Sequence, residues 1–325
     1  MINSKVTIVM YHYVRDLKRS RFPGIKGLDV GLFEEQVKYM QRHYTLIRME
    51  DLIESVVSGK TLPERAALLS FDDAYMDHFT NVFPLLYNMG IQGSFYVPAG
   101  MVMENKVLNV NKIHFVLAIE SDVQKLIRRI FEEVRKIRKD VALPTPETLY
   151  EQYAITNGKD TDEVMFVKRM LQKVMPQPFR TDLVNSLFEE AVGMDEATFS
   201  RELYMDKTQM QTMVGSGMHL GNHAYSHPWL NTLSKEEQEK EILACNALLD
   251  SIGVDMELWT MCFPHGGYNQ DTLDILKKHN CKLGLAVNVD IADIKRDNVF
   301  TLPRLDTNDL PKVRDAKHNP WLSKA

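Results

Sequence analysis

The chain has 325 residues, of which 44% are apolar and 26% charged, a composition that is typical of globular proteins and excludes a largely disordered chain. Its net charge of −5 disfavours a nucleic-acid partner, because nucleic-acid-binding domains carry a basic surface. No stretch has the apolar length of a membrane span. Three cysteines without a CxxC spacing suit a reducing compartment, and the first residues are typical of a strand rather than a signal peptide. We therefore expect a cytoplasmic protein.

Strands and helices alternate over the first hundred residues. The apolar, β-branched run KVTIVMY predicts a first strand, and a basic loop with Pro23 and Gly24 follows it. Apolar residues at helical spacing predict helices over 32–43, 49–58 and 75–89, and β-rich runs predict strands at 46–48, from Ala66 onward and at 92–97. This alternation predicts parallel strands that are joined by helical crossovers.

The alternation stops in the middle of the chain and then resumes. Residues 105–205 are charged, rich in helical patterns and punctuated by prolines, so we predict a helical insertion subdomain there. The two flanking parts, 1–104 and 206–325, then form one α/β domain. In the second part we predict helices at 208–217, 233–249 and 271–279, and strands at 218–222, 259–263, 283–289 and 299–302.

The stretch AALLSFDDAY places two acids where a buried strand ends. A run this apolar is typical of a strand that is buried on both faces, and the carboxyl ends of parallel strands are where α/β folds bind ligands. Asp72 and Asp73 could there divide two tasks, one binding a cation and the other acting as a base. A strand end with a simple helix N-cap explains the same pattern.

Two histidines follow another predicted strand. His223 and His227 are four residues apart in HAYSHP, and with a carboxylate from a second strand end they would make a three-ligand site for a divalent cation. Solvated histidines at a turn are the alternative.

Taken together, SFDDAY, FYVPAG and GNHAYSHPWL resemble the NodB-like polysaccharide deacetylases, carbohydrate esterase family four. The segments MYHYV, FPHGGYN and LPRLD resemble a branch of that family with an N-terminal MYH motif. The resemblance implies a distorted (β/α)7 barrel, similar to a TIM barrel, with a helical insertion. It further implies that Asp73, His223 and His227 bind Zn2+ or another divalent transition metal, while Asp72 is the general base.

The chain departs from the family pattern at two places. No late Leu-x-His motif follows Leu283, so the resemblance to the MYH branch makes His12 the expected general acid; a buried structural histidine is the alternative. Cys262 and Phe263 stand where many members have an arginine beside the base. Arg304 could supply that charge and keep Asp72 ionised, or it could form an ordinary surface ion pair.

The segment FPHGGYN is expected to line the substrate groove. The resemblance assigns Pro264, Gly266 and Tyr268 to the shape of that groove, and His265 stands where many members have an aromatic residue that contacts the sugar. An exposed loop histidine explains His265 equally well.

The expected function is removal of an N-acyl group, in the first place N-acetyl, from an amino sugar in a cytoplasmic saccharide or surface-polysaccharide precursor. The expected partner is thus an N-acetylated amino sugar, oligosaccharide or sugar precursor. The alternatives are a catalytically weak glycan-binding protein and a hydrolase of a non-sugar amide or formamide. The sequence leaves open whether the insertion is a substrate-selecting lid or a packing element, and whether the protein is a homo-oligomer.

Overall fold

A computed structural model describes residues 3–317 and 319–325 of the chain and divides it into two compact units. The first unit comprises the residues up to Asp16, Gly27–Lys106 and Ser200–Ala325. The second comprises Leu17–Lys26 and Val107–Phe199. These divisions lie within a few residues of the insertion predicted at 105–205, but the short segment Leu17–Lys26 also packs with the helical unit.

The strands of the first unit form one main sheet and a small two-stranded one. Their bounds are β1 (Lys5–Tyr11), β2 (Val14–Arg15), β3 (Leu28–Asp29), β4 (Thr45–Leu46), β5 (Ala66–Asp72), β6 (Gly93–Val97), β7 (His219–Asn222), β8 (Met261–Cys262), β9 (Gly284–Leu285), β10 (Ala292–Asp293) and β11 (Leu305–Asp306). Strands β2 and β3 form the small sheet.

The main sheet is a parallel array that returns to its first strand. The pairs β1–β5, β5–β6, β6–β7, β7–β8 and β8–β9 are all parallel. Leu285 in β9 forms a parallel bridge with Leu302, and Leu305 in β11 pairs with Val9 of β1. Strand β10 is the antiparallel exception and pairs with the start of β1. The predicted α/β barrel-like fold with parallel strands is confirmed.

The helices of the first unit cover the crossovers between strands. They are α1 (Val30–His43), α2 (Met49–Ser58), α3 (Phe83–Asn88), α4 (Ala99–Glu104), and, after the second unit, α11 (Lys207–Gly215), α12 (Lys235–Ser251) and α13 (Gln270–Lys278). Ser234 caps α12 through a capping box with Glu237, as its sequence predicts. A π-helical turn, His78–Val82, precedes α3.

One predicted strand is wrong. Residues Val299–Thr301 form a short 3-10 helix, because the Asn298 side chain accepts a hydrogen bond from Phe300 N and caps a turn there. Only Leu302, directly after the turn, pairs with the sheet.

The regular secondary structure of the second unit consists of helices, which short turns connect. Its helices are α5 (Asn109–Ile119), α6 (Val123–Ile137), α7 (Pro146–Tyr153), α8 (Asp162–Arg169), α9 (Phe179–Val192) and α10 (Glu196–Leu203, whose last residues belong to the first unit), with a π-helical turn at Met170–Val174. Phe115, Phe188 and Phe199 pack edge to face in its core. Among the described residues, no helix has both the length and the apolarity to span a membrane.

Closure of the sheet depends on a close approach at Gly284, which a substitution can test. A Cβ at this position would lie 2.2 Å from the carbonyl oxygen of Phe300. We therefore expect Gly284→Ala to lower the free energy of unfolding by about 1–3 kcal/mol, measured by urea denaturation. Gly215→Ala is the matched control, since nothing lies within 4 Å of a Cβ there. Equal stability of Gly284→Ala and the wild-type protein would contradict this account of closure.

Candidate active site

The loops at the carboxyl ends of the strands contain an unusual density of strained backbone. Left-handed φ values favour glycine, and other residues held there are concentrated at functional sites. Here five non-glycine residues adopt them just after β5, β7 and β8: Asp73 (φ 75°), Ala74 (φ 53°), Ala224 (φ 59°), His227 (φ 58°) and His265 (φ 56°). These turns point the polar side chains of three strand ends toward one region.

Asp73, His223 and His227, which we call the ligand group, converge in a buried cluster. Asp73 Oδ1 lies 3.5 Å from His223 Nε2 and 3.3 Å from His227 Nε2. This oxygen is buried and makes no hydrogen bond within the described part of the chain. Two donor atoms that bind a tetrahedral zinc ion at about 2.0–2.1 Å are about 3.4 Å apart, so the three atoms are spaced as ligands of one cation.

Two further polar atoms of the ligand group have hydrogen-bond partners that leave the converging atoms available. His223 Nδ1 lies 2.7 Å from the Cys262 carbonyl oxygen, to which it donates, so that in the neutral imidazole Nε2 is the nitrogen with the lone pair. The Tyr75 hydroxyl donates to Asp73 Oδ2 at 2.6 Å. Burial raises the pKa of Asp73, but the imidazoles of His223 and His227 outweigh burial and hold it well below its usual range. The residues present fit a divalent cation, and their role as its ligands stays a prediction.

Asp72 lies beside this group in a bidentate ion pair with Arg304. The guanidinium donates from Nη1 to Oδ1 at 2.9 Å and from Nη2 to Oδ2 at 2.8 Å. Arg304 is only 1% exposed, and it also donates to Ser70 Oγ and to the Ala286 carbonyl oxygen. Burial raises the pKa of Asp72, but the charges of Arg304 and His223 outweigh it and lower the pKa to about 2. Arg304 therefore makes the expected contact with Asp72, and this ion pair is buried rather than on the surface.

His12, the expected general acid, follows β1 at the same end of the sheet and is exposed, not buried. Its carbonyl oxygen lies 2.8 Å from His78 Nε2, which fixes the backbone at this position. The side chain of His12 is among the groups that lower the pKa values of Asp72 and Asp73, so it lies within electrostatic range of both carboxylates. The structure brings His12 to the site, and its role as the acid stays a prediction.

The segment predicted to line the groove divides into two kinds of residue. Pro264 is buried at the start of a short turn, and Gly266 has φ 71°. Tyr268 packs on Phe263 with ring centroids 4.8 Å apart, as part of an apolar cluster. His265 contacts His227 edge to face at 4.4 Å. Of these residues, His265 is the one that touches the ligand group directly.

Three residues at the site were not assigned a role from the sequence. Tyr75 orients Asp73 through its hydrogen bond. Its position directly after the Asp pair and Ala74 was a signal that could have identified it. Cys262 was considered only because it stands where many family members have an arginine. Its thiol lies 3.5 Å from each carboxylate oxygen of Asp72. Trp229 stacks on His265; it directly follows HAYSHP, which is the signal that could have identified it.

Comparison with known proteins identifies the fold and the domain. Residues 181–284, which include His223, His227 and Cys262, match the family model described as Polysaccharide deacetylase. This part of the chain therefore resembles the polysaccharide deacetylases. This chain is 31% identical over 80 residues to the Poly-beta-1,6-N-acetyl-D-glucosamine N-deacetylase of Escherichia coli (strain K12). That alignment covers 24% of this chain and 12% of the relative, so the chain matches only a small part of the relative's length.

Solved deacetylase structures share the fold over almost the whole chain. The deacetylase PplD of Streptococcus pyogenes, in complex with acetate, aligns with a TM-score of 0.56 at 17% identity, covering 94% of this chain and 93% of that one. IcaB from Ammonifex degensii aligns with a TM-score of 0.54 at 14% identity, covering 94% and 92%. The BpsB deacetylase domain from Bordetella bronchiseptica aligns with a TM-score of 0.55 at 14% identity, covering 93% and 96%. The fold of the deacetylase domain is thus the NodB type.

Tyr75 provides a test of how the ligand group is organised. We expect Tyr75→Phe to weaken zinc binding about 10- to 100-fold, because Asp73 loses the hydrogen bond that orients it. Asp73→Asn should bind far more weakly still, and asparagine tolerates the left-handed backbone at this position. Isothermal titration calorimetry measures both affinities, with the exposed Asp274→Asn as a control that binds like the wild type. Unchanged zinc affinity in Asp73→Asn would rule out this ligand group.

The Asp72–Arg304 pair predicts how stability depends on pH. Since the pKa of Asp72 in the folded protein is about 2 and its ordinary value is 3.8, the stability that its ionised form contributes is present above pH 4 and is lost as the pH falls toward 2. Urea denaturation from pH 7 down to pH 2.5 should show this loss.

Removal of the arginine gives the matched experiment. Arg304→Met leaves a buried, unpaired carboxylate, so we expect a loss of about 3–5 kcal/mol at pH 7. This loss should shrink as the pH falls, because burial without the guanidinium raises the pKa of Asp72 and protonation removes the unpaired charge. Arg296→Met, which removes an exposed arginine from a surface ion pair, should leave stability nearly unchanged. If Arg304→Met and Arg296→Met were equally stable, the Asp72–Arg304 ion pair would not contribute to stability in the way proposed.

Proposed function

We propose that this chain is a metal-dependent N-deacetylase that removes an acetyl group from an amino sugar. The observation that carries the proposal is the buried Asp73 Oδ1, which has no hydrogen bond and faces two imidazole nitrogens at ligand spacing. A second carboxylate, Asp72, lies beside it and is held ionised by Arg304. A cation site next to a free carboxylate is the arrangement that metal-assisted amide hydrolysis requires.

Each residue of the site has a separate task in this reaction. A divalent cation, for which we propose Zn2+, would act as a Lewis acid toward the acetamide carbonyl and make a bound water more acidic. Asp72 is ionised throughout the physiological pH range, so it can accept a proton from the attacking water. Arg304 fixes both oxygens of Asp72 and thus its orientation. His12 is exposed at the rim, where it can donate a proton to the departing amine.

The proposed substrate is an N-acetylated amino sugar within a saccharide. The name of the Escherichia coli relative supports this class, since it describes an N-deacetylase of poly-β-1,6-N-acetyl-D-glucosamine. We further propose, as the sequence analysis did, that the substrate is a cytoplasmic saccharide or surface-polysaccharide precursor. Separation of cell compartments followed by immunodetection of the chain tests that location, and recovery outside the cytoplasm would contradict it.

One argument for the alternative function, a catalytically weak glycan-binding protein, no longer holds. It drew on the absence of an arginine beside the base, and Arg304 supplies that charge from the other end of the domain. No feature of the described residues favours a non-sugar amide.

Amine release from N-acetylglucosamine and its β-1,6-linked oligomers tests the proposed function. We expect the zinc-loaded protein to release amine and acetate in equal amounts, and EDTA to stop the release until zinc is restored. Asp72→Asn should remove the base and reduce kcat by about 10²–10⁴. If zinc-loaded protein releases no amine from any of these sugars, or if Asp72→Asn is as active as wild type, the proposal is wrong.

His12→Gln tests the general acid separately. Because the glutamine amide cannot donate a proton in the way that an imidazolium does, we expect kcat to fall by about 10²–10⁴ while KM changes little. His43→Gln, at the end of α1, is the control and should retain full activity. A His12→Gln enzyme with wild-type kcat would show that another group protonates the amine.

A further inference from the structure

The rim of the site carries an exposed aromatic side chain that the proposed reaction does not use. Trp229 is 41% exposed, and its indole lies nearly parallel to the His265 ring, with centroids 4.7 Å and planes 13° apart. His265 in turn meets His227 edge to face at 4.4 Å. A continuous row of three rings therefore leads from the ligand group to solvent.

The turn beside Trp229 fits between two exposed apolar side chains. A Cβ on Gly267 would lie 3.2 Å from Cε3 of the Trp229 indole, and a Cβ on Gly266 would lie 2.4 Å from Cγ2 of Val287. Val287 is 40% exposed. The two glycines thus let the turn approach both side chains closely, and His265 supports the indole by stacking. Because the indole is already held in place, a ligand that stacks on it loses little side-chain entropy on binding.

We propose that Trp229, supported by His265, forms a subsite for the pyranose ring of the glycan unit next to the one that is deacetylated. This inference rests on the proposed function. An indole offers a flat apolar surface with a polar edge, which matches a sugar ring that has an apolar C–H face and hydroxyl groups around it. The chain would therefore bind oligosaccharides more tightly than single amino sugars.

Binding measured without turnover tests the subsite. Isothermal titration calorimetry of EDTA-treated protein would compare N-acetylglucosamine with its β-1,6-linked pentamer. We expect the wild type to bind the pentamer more tightly, Trp229→Ala to weaken pentamer binding at least about fivefold, and Trp229→Tyr to retain most of the affinity. The monosaccharide should lose less affinity than the pentamer in Trp229→Ala. Tyr87→Ala, which removes an exposed aromatic residue from α3, should bind like the wild type.

The results separate the subsite from the proposed reaction. If the pentamer binds Trp229→Ala as tightly as wild type, if both sugars lose affinity equally, or if wild type binds neither sugar, the subsite proposal is overturned. If pentamer binding depends on Trp229 but zinc-loaded wild type releases no amine, the subsite stands and the proposed function fails. With an active enzyme, Trp229→Ala should raise KM for the pentamer more than it lowers kcat.

Discussion

The ion pair between Asp72 and Arg304 joins the two ends of the domain that the insertion separates. Asp72 ends β5, and Arg304 directly precedes β11, the strand that returns the sheet to β1. The same guanidinium donates to the Ala286 carbonyl oxygen just after β9, so it spans the place where the sheet closes. A bidentate pair in a buried environment is strongly directional. The ion pair therefore contributes both to closure of the sheet and to the orientation of the proposed base.

Residues that follow the ends of β5 and β7 form the candidate site at one edge of this closed sheet. Left-handed backbone at Asp73 and His227 directs a carboxylate oxygen and an imidazole nitrogen toward each other, at a cost that the surrounding packing must offset. The Tyr75 hydroxyl then donates a hydrogen bond to Asp73, and the Cys262 carbonyl oxygen accepts one from His223, which fixes the orientation of both ligands. The result is a buried cluster in which Asp73 Oδ1 makes no hydrogen bond within the described part of the chain, beside an exposed histidine and an exposed indole.

Much of this arrangement could be predicted from the sequence, because the signals are local. The apolar run before Asp72 and the HAYSHP segment each mark a strand end, and the parallel order of the strands brings such ends together. The contact of Arg304 with Asp72 was also expected. The resemblance to a known family calls for an arginine beside the base, and Cys262 and Phe263 stand where that arginine usually lies. Residues 299–302 were misassigned because a side-chain cap at Asn298 outweighs the β-rich composition of Val299 to Leu302. Tyr75 and Trp229 were not assigned a role although each lies next to a motif of the site, and the contact of Cys262 with Asp72 is made only in three dimensions. The sequence of the helical unit also contains no motif that indicates its role.

We propose that Asp73, His223 and His227 bind one divalent cation beside Asp72. Anomalous diffraction from crystals of the zinc-loaded protein, recorded on both sides of the zinc absorption edge, tests it most directly. The account predicts one strong anomalous peak at bonding distance from Asp73 Oδ1, His223 Nε2 and His227 Nε2, with Asp72 still paired to Arg304 and outside the coordination sphere. A peak elsewhere, or none in this cluster at saturating zinc, would contradict it.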